Sequence, residues 1–137
     1  MNIIPYDSNI HIPDVIKLEE DAWLQSMNKV KYNSHQGWIL KKNNKIIGVC
    51  IYKKLDLNSI YLSTFIISEK YTGFGYGKIL LNLLIEFADR EKFNIILKAY
   101  RGTAYLIKLY KAYGFELQIG SESKNGSPIM IRYYKYY

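Results

Sequence analysis

The chain has 137 residues, 49% of them hydrophobic, and a net charge of +7, which suits one domain with a proper core and is too apolar for a disordered chain. Its single cysteine, Cys50, excludes an internal disulfide and any cysteine-cluster metal site. No run approaches the ~18 apolar residues of a membrane span, and "MNIIPYDSN" lacks the basic-then-apolar layout of a signal peptide, so a cytoplasmic protein without a membrane partner is expected.

No repeat, low-complexity tract or linker interrupts the sequence, so residues 1–137 are expected to form a single domain. "IPDVIKLEEDAW" (12–23) reads as a first helix with Pro13 at its opening position and Val15, Leu18 and Ala22 toward the core. "MNKVKYNSHQG" (27–37) is polar and loop-like. "GWILKKN" (37–43) and "KIIGVCIYKKL" (45–55) flank "KNNK", a hairpin signal built on paired asparagines, and Cys50 falls within the second of these strands as a small core residue. "SIYLSTFIIS" (59–68) is a third strand.

"KILLNLLIEFADREKF" (78–93) carries Leu80, Leu83, Leu84, Phe87 and Ala88 at helical spacing, with Lys78, Asn82 and Glu86 on the opposite face. "NIILKAY" (94–100) is a short apolar strand suited to a sheet centre. "TAYLIKLYKAY" (103–113) is another helix, stopped by Gly114. "FELQIG" and "SPIMIRYYKYY" close the chain as two strands around "SKNG". A mixed α+β or α/β layered fold follows, with a meander leading into a parallel pair across the 59–100 crossover.

The stretch "EKYTGFGYGKILL" (69–81) places Gly73, Gly75 and Gly77 immediately before a helix. A helix N-terminus presents amide N–H groups and partial positive charge, and glycines allow phosphate oxygens to come close, with Lys78 adding a full charge. A plain structural turn is the alternative. The spacing fits neither a Walker loop, a dinucleotide fingerprint nor a kinase glycine loop.

"FIISEKYTGFGYGKILL", followed after a strand by "LIKLYKAYGFEL", resembles the GNAT superfamily of acyl-coenzyme A dependent N-acetyltransferases. The family loop (Arg or Gln)-x-x-Gly-x-(Gly or Ala) maps onto Thr72, Gly75 and Gly77, and a tyrosine before a Gly-Phe pair maps onto Tyr110, Gly114 and Phe115 as Y-x-x-x-G-F. The order of elements along essentially the whole chain is also similar to that three-layer fold, a central mixed antiparallel and parallel sheet flanked by helices.

The resemblance implies acetyl-CoA as cosubstrate and transfer of its acetyl group to a primary amine. It places the pantetheine arm along the backbone of Phe65, Ile66 and Ile67. It places the diphosphate on the amides of Thr72, Gly73, Phe74, Gly75, Tyr76, Gly77 and Lys78, a pantetheine contact at Thr103, and the acid that protonates the departing thiolate at Tyr110. Thr72 replaces the family's long Arg or Gln, and Thr103 replaces an asparagine. An acyl-CoA binding module with little turnover is the alternative reading.

No acid lies within "YLSTFIIS", where some relatives carry a glutamate, and His35 is weighed as a base against a merely solvated loop histidine. Glu19, Glu20 and Asp21 read either as a patch that attracts a cationic amine or as a solvated helix face. His11 and Trp38 read as structural. "IRYYKYY" has the residue types that stack on a nucleic-acid strand, but without a recognition motif it reads as an edge strand. The expected partner is therefore a small-molecule or peptide amine rather than nucleic acid, with a homodimer left open and no metal.

Overall fold

The computed structural model describes residues 2–23, 35–99, 104–118 and 128–134, with side chains omitted at 21–23 and 104–106. Thr103, the side chain of Asp21, most of the 27–37 loop and the "SKNG" turn lie outside the described residues. The elements are β1 (Asn2–Pro5), α1 (Ser8–Trp23), β2 (Gln36–Lys42), β3 (Lys45–Lys54), β4 (Ser59–Ile67), a 3-10 turn (Glu69–Tyr71), α2 (Tyr76–Glu91), β5 (Asn94–Lys98), α3 (Ala104–Ala112), β6 (Glu116–Leu117) and β7 (Ile129–Arg132). The architecture is mixed α+β, a mostly antiparallel seven-stranded sheet in the order β1-β2-β3-β4-β5-β7-β6. None of the described helices is long and apolar enough to cross a membrane.

The chain forms two compact units: Met1–Lys53 with Ser63–Glu86, and Lys54–Leu62 with Phe87–Tyr137.

In the first unit β1 pairs antiparallel with β2, and β2 with β3. The β2–β3 turn puts both Asn43 (φ 53°) and Asn44 (φ 63°) in the left-handed region, the conformation of the tight hairpin turn that paired asparagines favour. β1 was not expected from the sequence, because four residues ending in proline carry little strand signal. The first helix also begins earlier than expected, at Ser8 rather than Pro13. Asp7 Oδ1 accepts the N–H of Asn9 at 2.9 Å, and His11 Nδ1 accepts the N–H of Asp7 at 2.9 Å. This reciprocal cap outweighs the one helical bond that Pro13 removes from the second turn.

Val15 and Leu18 of α1 pack with Tyr6, Ile39, Val49, Ile51 and Ile66 in one cluster. The opposite face of the sheet meets α2: a Cβ added at Gly48 would stand 2.7 Å from Ile67 Cδ1 and 3.3 Å from Leu80 Cδ1. Side chains alternate along a strand, so Val49 and Gly48 mark the two faces, and the unit has a helix–sheet–helix layering. Leu80, Leu84 and Ala88 are fully buried, and Asn82 and Glu86 are exposed, as the helical spacing predicts; Leu83 and Phe87 are only half-buried, and Leu81, which the spacing did not assign to that face, is fully buried.

In the second unit Ser59–Tyr61 of β4 run parallel to Asn94–Ile96 of β5, the crossover pair expected from the sequence. β5 pairs antiparallel with β7, and β7 with β6. Helix α3 stops at Gly114 (φ 94°), where Phe115 N–H donates to Tyr110 O at 3.0 Å and Gly114 N–H to Lys111 O at 3.1 Å. The Y-x-x-x-G-F string is thus a helix-ending device: glycine takes the left-handed step and the following amide satisfies an orphan carbonyl. Arg132 is buried and donates from Nη1 and Nη2 to Asp89 and from Nε to Tyr113 O.

Candidate functional site

The glycine loop lies within the first unit, between the end of β4 and α2. Gly73 (φ 86°) and Gly75 (φ 84°) occupy backbone conformations that L side chains rarely adopt, and a Cβ at either would find nothing within 4 Å. These two glycines are needed for the path of the chain and leave its outer surface open. Gly77 has no such conformation, and its added Cβ would touch Phe65 at 3.5 Å and Ile67 at 3.7 Å. The third glycine therefore seats the start of α2 against the end of β4, and the alanine that the family pattern allows there would fit in ordinary contact.

The first helical bond of α2 runs from Ile79 N–H to Gly75 O at 3.2 Å. The amides of Tyr76, Gly77 and Lys78 consequently have no acceptor inside their own helix. Together with the partial positive charge of the helix start, they suit an anion. Thr72 is engaged in the framework of the loop: its hydroxyl donates to Glu69 O at 2.9 Å and its N–H to the same oxygen at 3.3 Å. The hydroxyl that replaces the long Arg or Gln closes the 3-10 turn.

A second cation reaches this loop from a distant part of the sequence. Lys42, at the end of β2, donates from Nζ to the Tyr76 hydroxyl at 3.4 Å and lies 5.7 Å from the Tyr71 ring centroid and 5.9 Å from that of Tyr76. Phe74 is 68% exposed and stacks on Tyr76 with centroids 6.0 Å apart. Lys78 is exposed as well. Sequence reading missed Lys42, since nothing local connects a hairpin lysine to a loop some thirty positions on.

On β4, Phe65 and Ile67 face the loop through Gly77, while Ile66 turns to the α1 cluster. Ser63 is buried and shares a 3.1 Å hydrogen bond with Nε2 of His35. Thr64 donates to Glu19 Oε2 at 3.2 Å, and Glu19 is fully buried. This corrects the reading of Glu19 as part of a surface acidic patch; only Glu20 of that run has a described, exposed side chain. The spacing held the signal, because Val15, Leu18 and Glu19 fall at i, i+3 and i+4 of one face. Glu19 also acts on Tyr6, whose phenol is pushed up to about 12 by burial first and then by the negative charges of Asp7 and Glu19. His11 caps α1, and Trp38 packs on Tyr52 with ring centroids 5.8 Å apart, so both serve the framework.

Tyr110 belongs to the second unit, on the last turn of α3. It is 5% exposed, and its ring lies 5.4 Å from that of Phe115 at an angle of 56°. Thr103 lies outside the described residues.

Comparison with known proteins gives this arrangement a context. A spermine/spermidine N(1)-acetyltransferase of Bacillus subtilis is 33% identical over 75 residues, covering 53% of this chain and 49% of the relative; the chain spans about half the length of the curated relative it matches. The fold superposes on the ribosomal-protein-S18-alanine N-acetyltransferase of Escherichia coli with a TM-score of 0.83 at 18% identity, covering 99% of this chain and 95% of that one. It superposes on a GNAT family acetyltransferase of Elizabethkingia anophelis, solved with acetyl-CoA bound, with a TM-score of 0.74 at 20% identity over 96% and 97% of the two chains. The family model described as "Acetyltransferase (GNAT) family" matches residues 6–115, a span that contains β4, the glycine loop, α2 and the Tyr110–Phe115 string. The chain belongs to the acetyltransferase (GNAT) family.

Proposed function

We propose that this chain is an acetyl-CoA-dependent N-acetyltransferase for a primary amine, working as one catalytic domain. The observation that carries the reading is the loop before α2, where Gly73 and Gly75 turn through left-handed conformations with open space outside them and hand on to a helix start with amides to offer. A diphosphate fits such a place by chemistry: it needs several N–H donors, close backbone approach and nearby cations. Gly73 to Lys78 provide the amides, while Lys42 and Lys78 provide the charge. The backbone of Phe65, Ile66 and Ile67 holds the pantetheine arm. Bound there, the cosubstrate supplies an activated thioester.

Tyr110 is assigned the proton for the departing thiolate, and a backbone N–H of Ile66 or Ile67 the polarisation of the acyl carbonyl. Thr72, spent on Glu69 O, leaves cation duty to the lysines. The relative named for spermine and spermidine makes an aliphatic polyamine the first acceptor to try.

Calorimetry with acetyl-CoA, together with thiol release across a panel containing spermidine and short peptides, tests this reading. Binding with amine-dependent thiol release is expected. Binding without release from any amine would leave an acyl-CoA binding module, and no binding would end the reading altogether.

A further inference from the structure

Ser63 and His35 are brought together across 28 positions of sequence, Oγ to Nε2 at 3.1 Å. Ser63 is only 7% exposed and His35 is half-buried. Alternation along β4 places Ser63 on the same face as Phe65 and Ile67, the side chains that meet the glycine loop at Gly77. Moving back along that face from the loop, Ile67 and Phe65 are apolar and Ser63 is the first polar group. At ~3.3 Å per residue it lies roughly 13 Å upstream of Ile67. An acyl-pantetheine arm that starts at the loop and follows β4 carries its reactive end in this direction.

An alkylamine arrives at neutral pH as an ammonium ion, since its pKa is near that of lysine, about 10.4. It has no lone pair until a proton leaves. A neutral imidazole is the side chain suited to take that proton near pH 7, and a hydroxyl already bonded to it can pass the proton on.

We infer that Ser63 and His35 form the proton-accepting pair for the acceptor amine, an inference that rests on the N-acetyltransferase reading above. Ser63 Oγ touches the amine and receives its proton while giving its own to His35 Nε2, so the imidazole becomes imidazolium and the nitrogen gains its lone pair. The nitrogen then forms the N–C bond and the C–S bond breaks. The departing thiolate takes up a proton, and nitrogen loses its second one. His35 returns its proton to solvent, and one proton is released per acetyl group transferred. Ser63 is the catalytic residue of the pair and His35 acts through it.

The experiment compares Ser63→Ala, His35→Ala and His35→Gln with the wild-type protein, using spermidine and methoxyamine as acceptors; methoxyamine is already the neutral amine, with its lone pair free, at neutral pH. Acetyl-CoA affinity by calorimetry should be unchanged in all three variants. With spermidine, kcat should fall roughly 10²-fold, the lower range for a positioned base, and added imidazole should restore part of the loss in His35→Ala only. With methoxyamine the loss should shrink to a few-fold.

In 15N-histidine spectra of the coenzyme-free protein, which has two histidines, Ser63→Ala should move the His35 Nε2 resonance and leave that of His11 in place. Variants within twofold of wild type with spermidine, equal losses with both amines, or an unmoved His35 resonance would each overturn the pair. A wild-type protein that neither binds acetyl-CoA nor releases thiol overturns the underlying reading instead, and the pair with it.

Discussion

Arg132 and Asp89 meet as a parallel fork: Nη1 donates to Oδ1 at 2.8 Å and Nη2 to Oδ2 at 3.0 Å, with the guanidinium side chain 4% exposed. The same arginine donates from Nε to Tyr113 O at 2.9 Å, so β7, the end of α2 and the end of α3 are fixed at one point within the second unit. Bidentate geometry and near-complete burial set this pair apart from the exposed Arg90–Glu91 contact at 3.7 Å. Asp89→Ala would strand a buried cation and should cost about 3–5 kcal/mol. Replacing both partners with apolar residues, Asp89→Leu with Arg132→Met, should cost less than the single change. Urea denaturation of the three proteins checks this order.

Gly75 and Gly77 should separate by mechanism. Gly75→Glu puts a side chain into open space from a left-handed backbone, so it should cost roughly 1–2 kcal/mol of strain while placing an anion where diphosphate is expected. Acetyl-CoA affinity should collapse with the fold retained. Gly77→Ala meets Phe65 and Ile67 only at ordinary contact distance and should leave both stability and affinity near wild type. Calorimetry and thermal melts on the two variants distinguish conformational need from packing.

Tyr110→Phe keeps the ring against Phe115 and the backbone bond that ends α3. If the hydroxyl protonates the leaving thiolate, kcat should fall by roughly 10²–10⁴-fold with unchanged coenzyme affinity. The loss should shrink with an acyl donor whose thiol is more acidic. Near-normal turnover with both donors would return Tyr110 to a purely structural role.

Tyr6 links the fold to alkaline pH. Its phenol is ordinarily at 10.0 and is raised to about 12 in the folded protein, so between these values the folded state holds a proton that the unfolded chain releases. The stabilising contribution is complete below pH 10 and is lost as pH rises through about 12. Tyr6→Phe should flatten that part of the stability profile, read as urea midpoints between pH 9 and pH 12. An unchanged slope would mean that Tyr6 ionises freely in the fold.

Local patterns made much of the architecture legible. The leucine spacing of α2, the Asn43–Asn44 turn and the Gly114 stop are decisions made within a few residues, and each is found where the sequence puts it. The opening of α1 was misjudged because Pro13 is a familiar first-turn residue, while the cap that wins, Asp7 with His11, depends on a reciprocal side-chain geometry. Glu19 was hidden by its neighbours: three consecutive acids look like a solvated block, although helical spacing turns the first of them inward. The amide-rich loop was visible as glycines. What surrounds it was not, because Lys42 beside Tyr76 and His35 beside Ser63 are tertiary contacts between residues 34 and 28 positions apart in sequence.

Cys50 has a practical consequence. It is the only thiol in the chain and is fully enclosed, and burial pushes it well above the ordinary thiol range. A chromogenic disulfide reagent added to the native protein should therefore stay colourless until the first unit opens. Thiol-release kinetics then begin from a dark background, and any slow colour that develops without an acyl donor is a direct clock of that opening.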